Sequence, residues 1–233
     1  MIAAETHTGK ARKPALRSLL WLAILALLLF LSAGTLRWPG AWIFLGMTGI
    51  AGLVGMVWLS RHDPGLFMER SRSVFQQDQK PWDKVLMGAF LPLSLGWYVL
   101  MGLDKRFAWS SVPVTLQVLG GVLIGLCLYF CWLVFRENSF AAPVVKLQKE
   151  RGHKVVTSGP YAYVRHPMYS SVILFAAGVP LLLSSWWGLI VSPLLIVVLA
   201  VRAVIEERTL KAGLEGYADY AERVHYRFVP LLW

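Results

Sequence analysis

The chain has 233 residues, of which 57% are hydrophobic and only 15% are charged. A soluble domain normally carries about 25% charged residues, and its apolar runs stop short of the ~20 positions that a bilayer-spanning helix requires. Several segments here reach that length, so the composition excludes an ordinary soluble protein and predicts a membrane protein. The net charge is +10, but the basic residues lie between apolar blocks and form no nucleic-acid-binding motif. We therefore expect this charge to meet membrane lipids and not nucleic acid.

Six apolar segments are predicted to cross the membrane as helices. They cover residues 16–36, 41–59, 85–103, 114–135, 168–183 and 186–205. Only Ser184 and Ser185 separate the last two, which are therefore expected to form an antiparallel helical hairpin, and Pro180 and Pro193 are candidates for kinks in it. The predicted fold class is an all-α membrane protein of about six transmembrane helices.

The first segment has an alternative interpretation as a cleaved signal peptide, because Lys10, Arg12, Lys13 and Arg17 precede it. Its apolar run is longer than the ~7–15 residues of a signal peptide's core, and no small-x-small cleavage site closes it. We therefore expect a helix that is retained.

The distribution of lysine and arginine predicts the orientation of the helices. All 23 of these residues fall at the N-terminus, in 61–84, in 136–165 or from Arg202 onward, except Arg37, Lys105 and Arg106. With six spans the four basic regions share one side, and the more basic side of a membrane protein stays in the cytoplasm. Both termini are therefore expected in the cytoplasm. A bacterial inner membrane is the expected location, since nothing in the sequence marks an organelle.

Glycines recur at helical spacing in two of the predicted helices. They are Gly46, Gly49, Gly52 and Gly55 in the second helix, and Gly121 and Gly125 in the fourth. A nucleotide-binding glycine loop is excluded because no strand precedes them. We predict instead that they let neighbouring helices approach closely in lipid.

The chain divides into two predicted parts. Residues 1–136 hold the first four helices and a partly amphipathic cytoplasmic segment, 61–84, expected at the level of the lipid headgroups. Residues 137–233 hold a polar cytosolic loop, the hairpin and a C-terminal helix. This second part is the predicted catalytic region.

The cytoplasmic ends of the hairpin bring ionisable and aromatic groups together. They are Arg165, His166 and Tyr169 around Pro167 at the start of the fifth helix, and Arg202, Glu206 and Glu207 near the end of the sixth. Taken singly, each has a simpler interpretation as a headgroup anchor, an i,i+4 ion pair or part of the aromatic belt. Ionisable groups at the edge of hydrocarbon are costly, so their concentration at one helix mouth predicts a functional site.

Two motifs in this region resemble those of a known family. Residues 159–169 read GPYAYVRHPMY, which contains the pattern RHPxY, and residues 206–210 read EERTL, which matches EExxL. The tail is similar too, with YADYAERV at 217–224 and FVP at 228–230. Residues 130–233 therefore resemble the isoprenylcysteine carboxyl methyltransferase family, integral membrane enzymes that have phospholipid methyltransferases among their relatives.

The resemblance implies that S-adenosylmethionine binds in a cytosol-facing pocket roofed by the C-terminal helix. The residues it implies for the cofactor are His153, Lys154, Val155, Val156, Tyr161, His166, Pro167, Met168, Tyr169 and Glu206. It implies that Arg202 faces the substrate, and Glu207 and Arg165 are the other candidate catalytic residues. Relatives also use a polar residue at the start of the loop, a role for which Lys146 and Gln148 are both candidates.

The expected reaction is methyl transfer to a carboxylate of a lipophilic or isoprenoid-linked substrate that enters from the bilayer. Such a carboxylate is already ionised and needs no base, and Arg202 would hold it by a charge-assisted pair. An amine acceptor, such as a phospholipid headgroup, is the alternative. It would need Glu206, Glu207 or His166 to remove a proton.

Two functions of other classes stay open. A sterol-type reductase would bind NADPH, and the basic residues available for its 2′-phosphate are Lys146, Lys149, Arg151 and Lys154. A transporter or non-enzymatic scaffold is less favoured, because the first five spans carry no charge in their interiors.

A metal enzyme is not expected. His153 and His166 lack the repeated histidine clusters of a membrane di-metal site. Cys127 and Cys131, four residues apart in an apolar helix, are interpreted as packing residues.

Overall fold

The structure is a computed structural model that describes the backbone of residues 3–231 and 233 and the side chains of residues 14–231 and 233. The side chains of Lys10, Arg12 and Lys13, which entered the orientation prediction, lie outside these ranges. The α-helices are α1 (Ala3–Ala33), α2 (Pro39–His62), α3 (Pro64–Arg70), α4 (Pro81–Phe107), α5 (Val114–Glu137), α6 (Pro167–Leu182), α7 (Trp186–Gly213) and α8 (Tyr217–Arg223). Two short 3₁₀ turns cover Lys149–Arg151 and Gly159–Ala162, and the described ranges contain no strand. The all-α prediction is confirmed.

Five of these helices are long and apolar enough to cross a membrane: α1 from Pro14 onward, α2, α4, α5 and α7. They confirm a multi-pass membrane protein. The predicted fifth span corresponds to α6, which has 16 residues and is shorter than the ~20 that a span normally needs. A count of six spans therefore stays a prediction. Helix α7 runs eight residues past the predicted end at 205, so EERTL lies on the same helix as the apolar span.

Prolines mark where several helices begin. Pro39, Pro64, Pro81 and Pro167 each occupy the first turn of α2, α3, α4 and α6. Proline suits this position because its fixed φ matches the helix and its missing N–H would have had no partner there. The predicted helix start at Pro167 is confirmed, and it fixes His166 as the residue directly before α6.

Close packing of α5 against α6 depends on two glycines that the spacing argument did not select. A Cβ on Gly120 would lie 2.5 Å from the backbone nitrogen of Leu182, and one on Gly178 would lie 2.8 Å from the carbonyl oxygen of Gly120. A Cβ on Gly49 would contact the side chain of Leu22, and a Cβ on Gly121 would reach only a terminal methyl of Leu182, at 4.0 Å. The close-packing prediction was wrong for Gly46, Gly52, Gly55 and Gly125, where a Cβ would meet no described atom within 4 Å. Spacing shows that glycines share a helix face, but not that a neighbour covers that face.

The main hydrophobic core lies between α1, α2, α4 and the α6–α7 hairpin. Leu29, Phe44, Met101 and Val179 are fully buried there. The turn of the hairpin is tied to α4 by a buried carboxylate: Asp104 accepts hydrogen bonds from the hydroxyls of Ser110 (2.6 Å) and Ser185 (2.5 Å). These contacts hold the turn of the hairpin against the end of α4.

The connecting segments gather at the two ends of the helix bundle. At one end, the segment after α3 contacts the loop after α5, because the Lys80 N–H donates to the carbonyl of Val145 (3.3 Å). At the same end, the chain before α6 contacts the C-terminal tail, because the Arg165 N–H donates to the carbonyl of Tyr226 (2.9 Å). Arg17, near the start of the apolar part of α1, donates to the carbonyl of Ser71 at this same end. The α6–α7 turn lies at the opposite end.

Candidate active site

An open cavity of about 980 Å³, mouth included, lies where these segments meet. Most of the predicted site residues line it: Arg165, Arg202, His153, Lys154, Val155, Val156, Tyr161, His166, Met168, Tyr169 and Glu206. Pro167 and Glu207 are not among the lining residues.

The Tyr169 hydroxyl joins the two sequence motifs at the cavity wall. It donates to Oε2 of Glu206 at 2.8 Å and accepts from Nη1 of Arg202 at 2.9 Å. Glu206 and Arg202 lie one turn apart on α7, whereas Tyr169 lies in the first turn of α6. The expectation that the hairpin brings these residues together is therefore confirmed.

Asp83 holds the Arg202 guanidinium from the other side. Its carboxylate is fully buried and accepts from Nε of Arg202 at 2.6 Å and from Nη2 at 3.3 Å, a bidentate arrangement that fixes the guanidinium plane. It also accepts from the Gln79 side chain (2.8 Å) and the Val145 N–H (2.9 Å). The second N–H of Nη2 is left for the carbonyl of Pro143, at 3.0 Å.

Glu207 sits in a buried ion cluster behind the cavity wall. It accepts from Nε of Arg165 at 2.6 Å and from Nε of Arg227 at 3.1 Å, and it lies 3.2 Å from Nε2 of His166. Arg165 uses its Nη1 on three tail carbonyls, those of Ala221, Val224 and His225. These contacts join α6 and α7 to the tail. Arg165 and Glu207, two of the predicted catalytic residues, therefore make structural contacts in this structure.

The loop after α5 supplies one wall of the cavity. His153 stacks on Phe140 with ring centroids 4.6 Å apart, and its Nδ1 accepts from the Gln148 N–H at 3.3 Å. Nδ1 is therefore unprotonated, and Nε2 carries the proton of the neutral ring. Burial, and next the charge of Arg151, hold the pKa of His153 below its ordinary value. The side chain is consequently neutral at pH 7.

Tyr161 is held on the same wall from two directions. Its hydroxyl accepts from the Asn138 side chain at 2.7 Å, and its carbonyl accepts from the Tyr220 hydroxyl at 2.8 Å. Burial raises the pKa of Tyr161 above its ordinary value, so the hydroxyl remains protonated. The second of these bonds also fastens α8 over the cavity.

Lys146 and Gln148 are both committed to partners within the protein. Nζ of Lys146 donates hydrogen bonds to Asp78 at 2.8 Å and to Gln76 at 3.0 Å, and it forms an ion pair with Glu69 at 2.6 Å. Gln148 is buried away from the cavity, donates to the carbonyl of Phe140 and accepts from Arg151. Lys146 lines the cavity, and its ammonium group contacts the 61–84 segment.

The 61–84 segment contributes to the site in a way that the sequence pattern did not predict. Arg70 lines the cavity, packs its guanidinium 4.3 Å from the centre of the Phe135 ring and donates to the carbonyl of Ala141 at 2.9 Å. Glu69 and Asp83 are buried and hold Lys146 and Arg202. The one available signal was charge: Asp83, two residues after Pro81, falls in the first turn of an apolar helix, where an acid needs a buried partner.

Comparison with known proteins gives three matches. A family model described as phospholipid methyltransferase matches residues 115–215. Protein-S-isoprenylcysteine O-methyltransferase B of Arabidopsis thaliana is 29% identical over 125 residues, 53% of this chain. The chain spans 60% of that relative's length. Among solved structures, the eukaryotic intramembrane Ras methyltransferase, an isoprenylcysteine carboxyl methyltransferase, is similar with a TM-score of 0.45 and 20% identity, covering 91% of this chain and 74% of that chain.

The family match includes both the RHPxY residues and EERTL, and the curated relative is an isoprenylcysteine methyltransferase. These comparisons confirm that the chain resembles the isoprenylcysteine carboxyl methyltransferase family, with phospholipid methyltransferases among its relatives.

Proposed function

We propose that this protein is an integral membrane methyltransferase that uses S-adenosylmethionine and methylates a carboxylate of a lipophilic or isoprenoid-linked substrate. The observation that carries the proposal is the Tyr169 hydroxyl, which joins Glu206 to Arg202 in the wall of an open cavity. One carboxylate and one guanidinium are thereby fixed side by side, as a cationic cofactor and an anionic acceptor require. The reaction class, methyl transfer, is proposed from the names of the matching family model and of the curated relative.

The lining residues fit the cofactor that we propose. S-adenosylmethionine has a cationic sulfonium, an amino-acid end and an adenine, and it supplies the methyl group when bound. Glu206 offers a carboxylate to the cationic parts, and neutral His153 adds no opposing charge. Val155, Val156 and Met168 offer apolar surface to the adenine. We propose that these residues, with Lys154, Tyr161, His166 and Tyr169, hold the cofactor.

Arg202 is the proposed contact for the substrate carboxylate. An arginine has five N–H donors. Asp83, Tyr169 and the Pro143 carbonyl take four of them in this structure, which leaves one N–H on Nη1 at the cavity wall. Methyl transfer is an in-line displacement that depends mainly on positioning, and a guanidinium held on three sides provides a rigid contact. The free N–H would orient one carboxylate oxygen.

An amine acceptor is the second candidate, because the matching family model is that of phospholipid methyltransferases. An amine must lose a proton before it attacks. Glu207 is unsuited to take it, since it lies behind the cavity wall and carries ion pairs with Arg165 and Arg227. Glu206 and His166 are the candidates that line the cavity.

A reductase is less well supported by the side chains. Of the four basic residues considered for the 2′-phosphate of NADPH, Lys146 is paired with Glu69 and Asp78, and Arg151 lies against Gln148 and Asp63. Neither offers a free charge to a phosphate in the cavity.

The proposal is tested with protein purified in lipid nanodiscs. Calorimetry should detect binding of S-adenosylmethionine and not of NADPH. Tritiated methyl should then pass to a prenylated cysteine analogue and not to phosphatidylethanolamine. Transfer to the phospholipid would establish the amine alternative, and absence of cofactor binding would overturn the methyltransferase proposal.

Two substitutions test the assigned roles. Glu206→Gln should weaken cofactor binding about 10- to 100-fold, the usual range for a charge-assisted contact, while thermal unfolding changes little. Arg202→Lys should raise the KM for the carboxylate acceptor and leave the cofactor Kd within about twofold. Lysine is preferred to alanine here because alanine would leave Asp83 as an unpaired buried charge. Equal effects of both variants on cofactor binding would contradict the division of roles.

A further inference from the structure

Tyr217 carries a buried hydroxyl that no part of the site described above uses. The side chain lines the cavity and is only 5% exposed. Its hydroxyl has no hydrogen-bond partner in the part of the chain that the structure describes. Burial, followed by the charges of Glu207 and Glu206, raises the pKa of Tyr217, so the hydroxyl keeps its proton and acts as a donor.

An unpaired buried hydroxyl lowers the stability of the folded protein. Leaving a buried donor without an acceptor costs about 1–3 kcal/mol, and the large majority of buried polar groups in native proteins are paired for that reason. A phenylalanine at this position would bury the same ring without the cost. The hydroxyl of Tyr217 is therefore explained if a ligand in the cavity supplies the acceptor.

The neighbouring tyrosine shows what a structural hydroxyl looks like at this position. Tyr220 lies one turn further along α8, with its ring centre 5.7 Å from that of Tyr217. Its hydroxyl is paired with the carbonyl of Tyr161 at 2.8 Å. Both tyrosines line the cavity, but the hydroxyl of Tyr220 has a partner in the protein, whereas that of Tyr217 has none among the described residues.

The surroundings of Tyr217 indicate which part of a ligand it meets. The ring packs in an apolar cluster with Leu214 and Tyr220, against which Val155 and Leu210 also pack. The walls around the ring are thus apolar, whereas the charges of Glu207 and Glu206 act on its hydroxyl end. An adenine ring suits the apolar walls, because it is flat and uncharged and carries ring nitrogens that accept hydrogen bonds.

We propose that Tyr217 belongs to an adenine subsite, in which its hydroxyl donates a hydrogen bond to a ring nitrogen of the cofactor's adenine. This inference rests on the proposed use of S-adenosylmethionine and adds a residue that neither motif contains. It assigns α8 a direct part in binding, besides its place over the cavity.

The test compares Tyr217→Phe with wild type in calorimetric titrations against S-adenosylhomocysteine and against adenosine. Loss of one neutral hydrogen bond should weaken both ligands by about three- to tenfold. The exposed Tyr163, which does not line the cavity, provides the control Tyr163→Phe, which should bind both ligands as the wild type does. Unchanged affinity in Tyr217→Phe would overturn the inference. So would weaker binding of S-adenosylhomocysteine alone, since the contact would then lie at the amino-acid end.

Thermal unfolding without ligand separates binding from structure. Tyr217→Phe should keep or raise the midpoint, because the removed hydroxyl bonds to nothing in the described protein. Tyr220→Phe should lower it, because that hydroxyl holds Tyr161. A lower midpoint for Tyr217→Phe would reveal a partner within the protein and overturn the inference. If the wild type binds neither ligand, the proposed function itself fails, a result distinct from the loss of affinity in one variant.

Discussion

Asp83 connects parts of the chain that are far apart in sequence. Arg202, its main partner, lies 119 residues away, and the carboxylate also accepts from Gln79 and the Val145 N–H. A buried carboxylate is tolerated when such partners replace its water. Asp83 does not line the cavity itself. We therefore expect it to position Arg202 without touching a ligand.

Asp83→Asn tests this role. Asparagine keeps the shape but removes the charge and offers one acceptor oxygen where the carboxylate offers two, so the guanidinium loses its bidentate partner. We expect kcat/KM for the methyl acceptor to fall at least tenfold while the cofactor Kd stays within about twofold, together with a stability loss on the order of 3 kcal/mol. Enzyme assays, calorimetry and thermal unfolding measure the three quantities.

Asp78→Asn is the matched control, because Asp78 also pairs with a buried cation, Lys146, but is itself half exposed. That pairing lowers the pKa of Asp78, yet an exposed pair contributes little to stability. The control should therefore change neither turnover nor unfolding by much. A fall in cofactor affinity as large as the fall in kcat/KM for Asp83→Asn would contradict a positioning role confined to Arg202.

The residues that sequence could predict are those whose signal is local. Tyr169, Arg202 and Glu206 were expected together because each lies at a fixed offset from the two-residue turn of the hairpin. Asp83 and Arg70 carried no such signal, since their partners lie in other segments and local periodicity does not record pairing across the chain. Because 61–84 was predicted to lie at the level of the lipid headgroups, neither residue was expected in the site.

At the scale of elements, the site depends on how tightly α5 and α6 pack. The loop that carries His153 follows α5, and the RHPxY residues lie at the start of α6, so we expect the distance between these helices to affect the width of the cavity. Gly120 and Gly178 let the two backbones touch near the α6–α7 turn. The close-packing prediction failed at Gly46, Gly52, Gly55 and Gly125 because a pattern along one helix carries no information about which neighbour covers it.

Gly120→Ala should separate the two helices. The added methyl would lie 2.6 Å from the carbonyl of Gly178 and 2.5 Å from the backbone nitrogen of Leu182, neither of which can move alone. Overpacking of this kind costs about 1–3 kcal/mol, so the midpoint of thermal unfolding in detergent should fall. Gly125→Ala on the same helix meets open space and should be neutral or stabilising, because alanine favours the helix by about 0.5–1 kcal/mol. Equal midpoints for the two variants would contradict the packing argument.

At the scale of the whole molecule, the contacts between segments agree with the division of charge read from the sequence. The 61–84 segment, the loop after α5 and the C-terminal tail contact one another at one end of the bundle, where Lys146 meets Asp78 and Arg165 meets Tyr226. Arg37, Lys105 and Arg106 lie next to the other ends of the helices. The positions of lysine and arginine thus predicted which segments lie at the same end of the bundle. They did not predict that basic residues of these segments pair with buried acids.

The charge asymmetry predicts that the cavity end faces the cytoplasm, since basic segments stay on that side. Single cysteines test this in a background that carries Cys127→Ala and Cys131→Ala. Lys105→Cys and Glu222→Cys place a thiol at exposed positions at opposite ends of the bundle. In intact bacterial spheroplasts, a membrane-impermeant maleimide should label Lys105→Cys and should label Glu222→Cys only after lysis. A permeant maleimide should label both throughout, which shows that each thiol is reactive. The reverse pattern would place the cavity outside, beyond reach of cytosolic S-adenosylmethionine, and would contradict both the orientation and the source of the proposed cofactor.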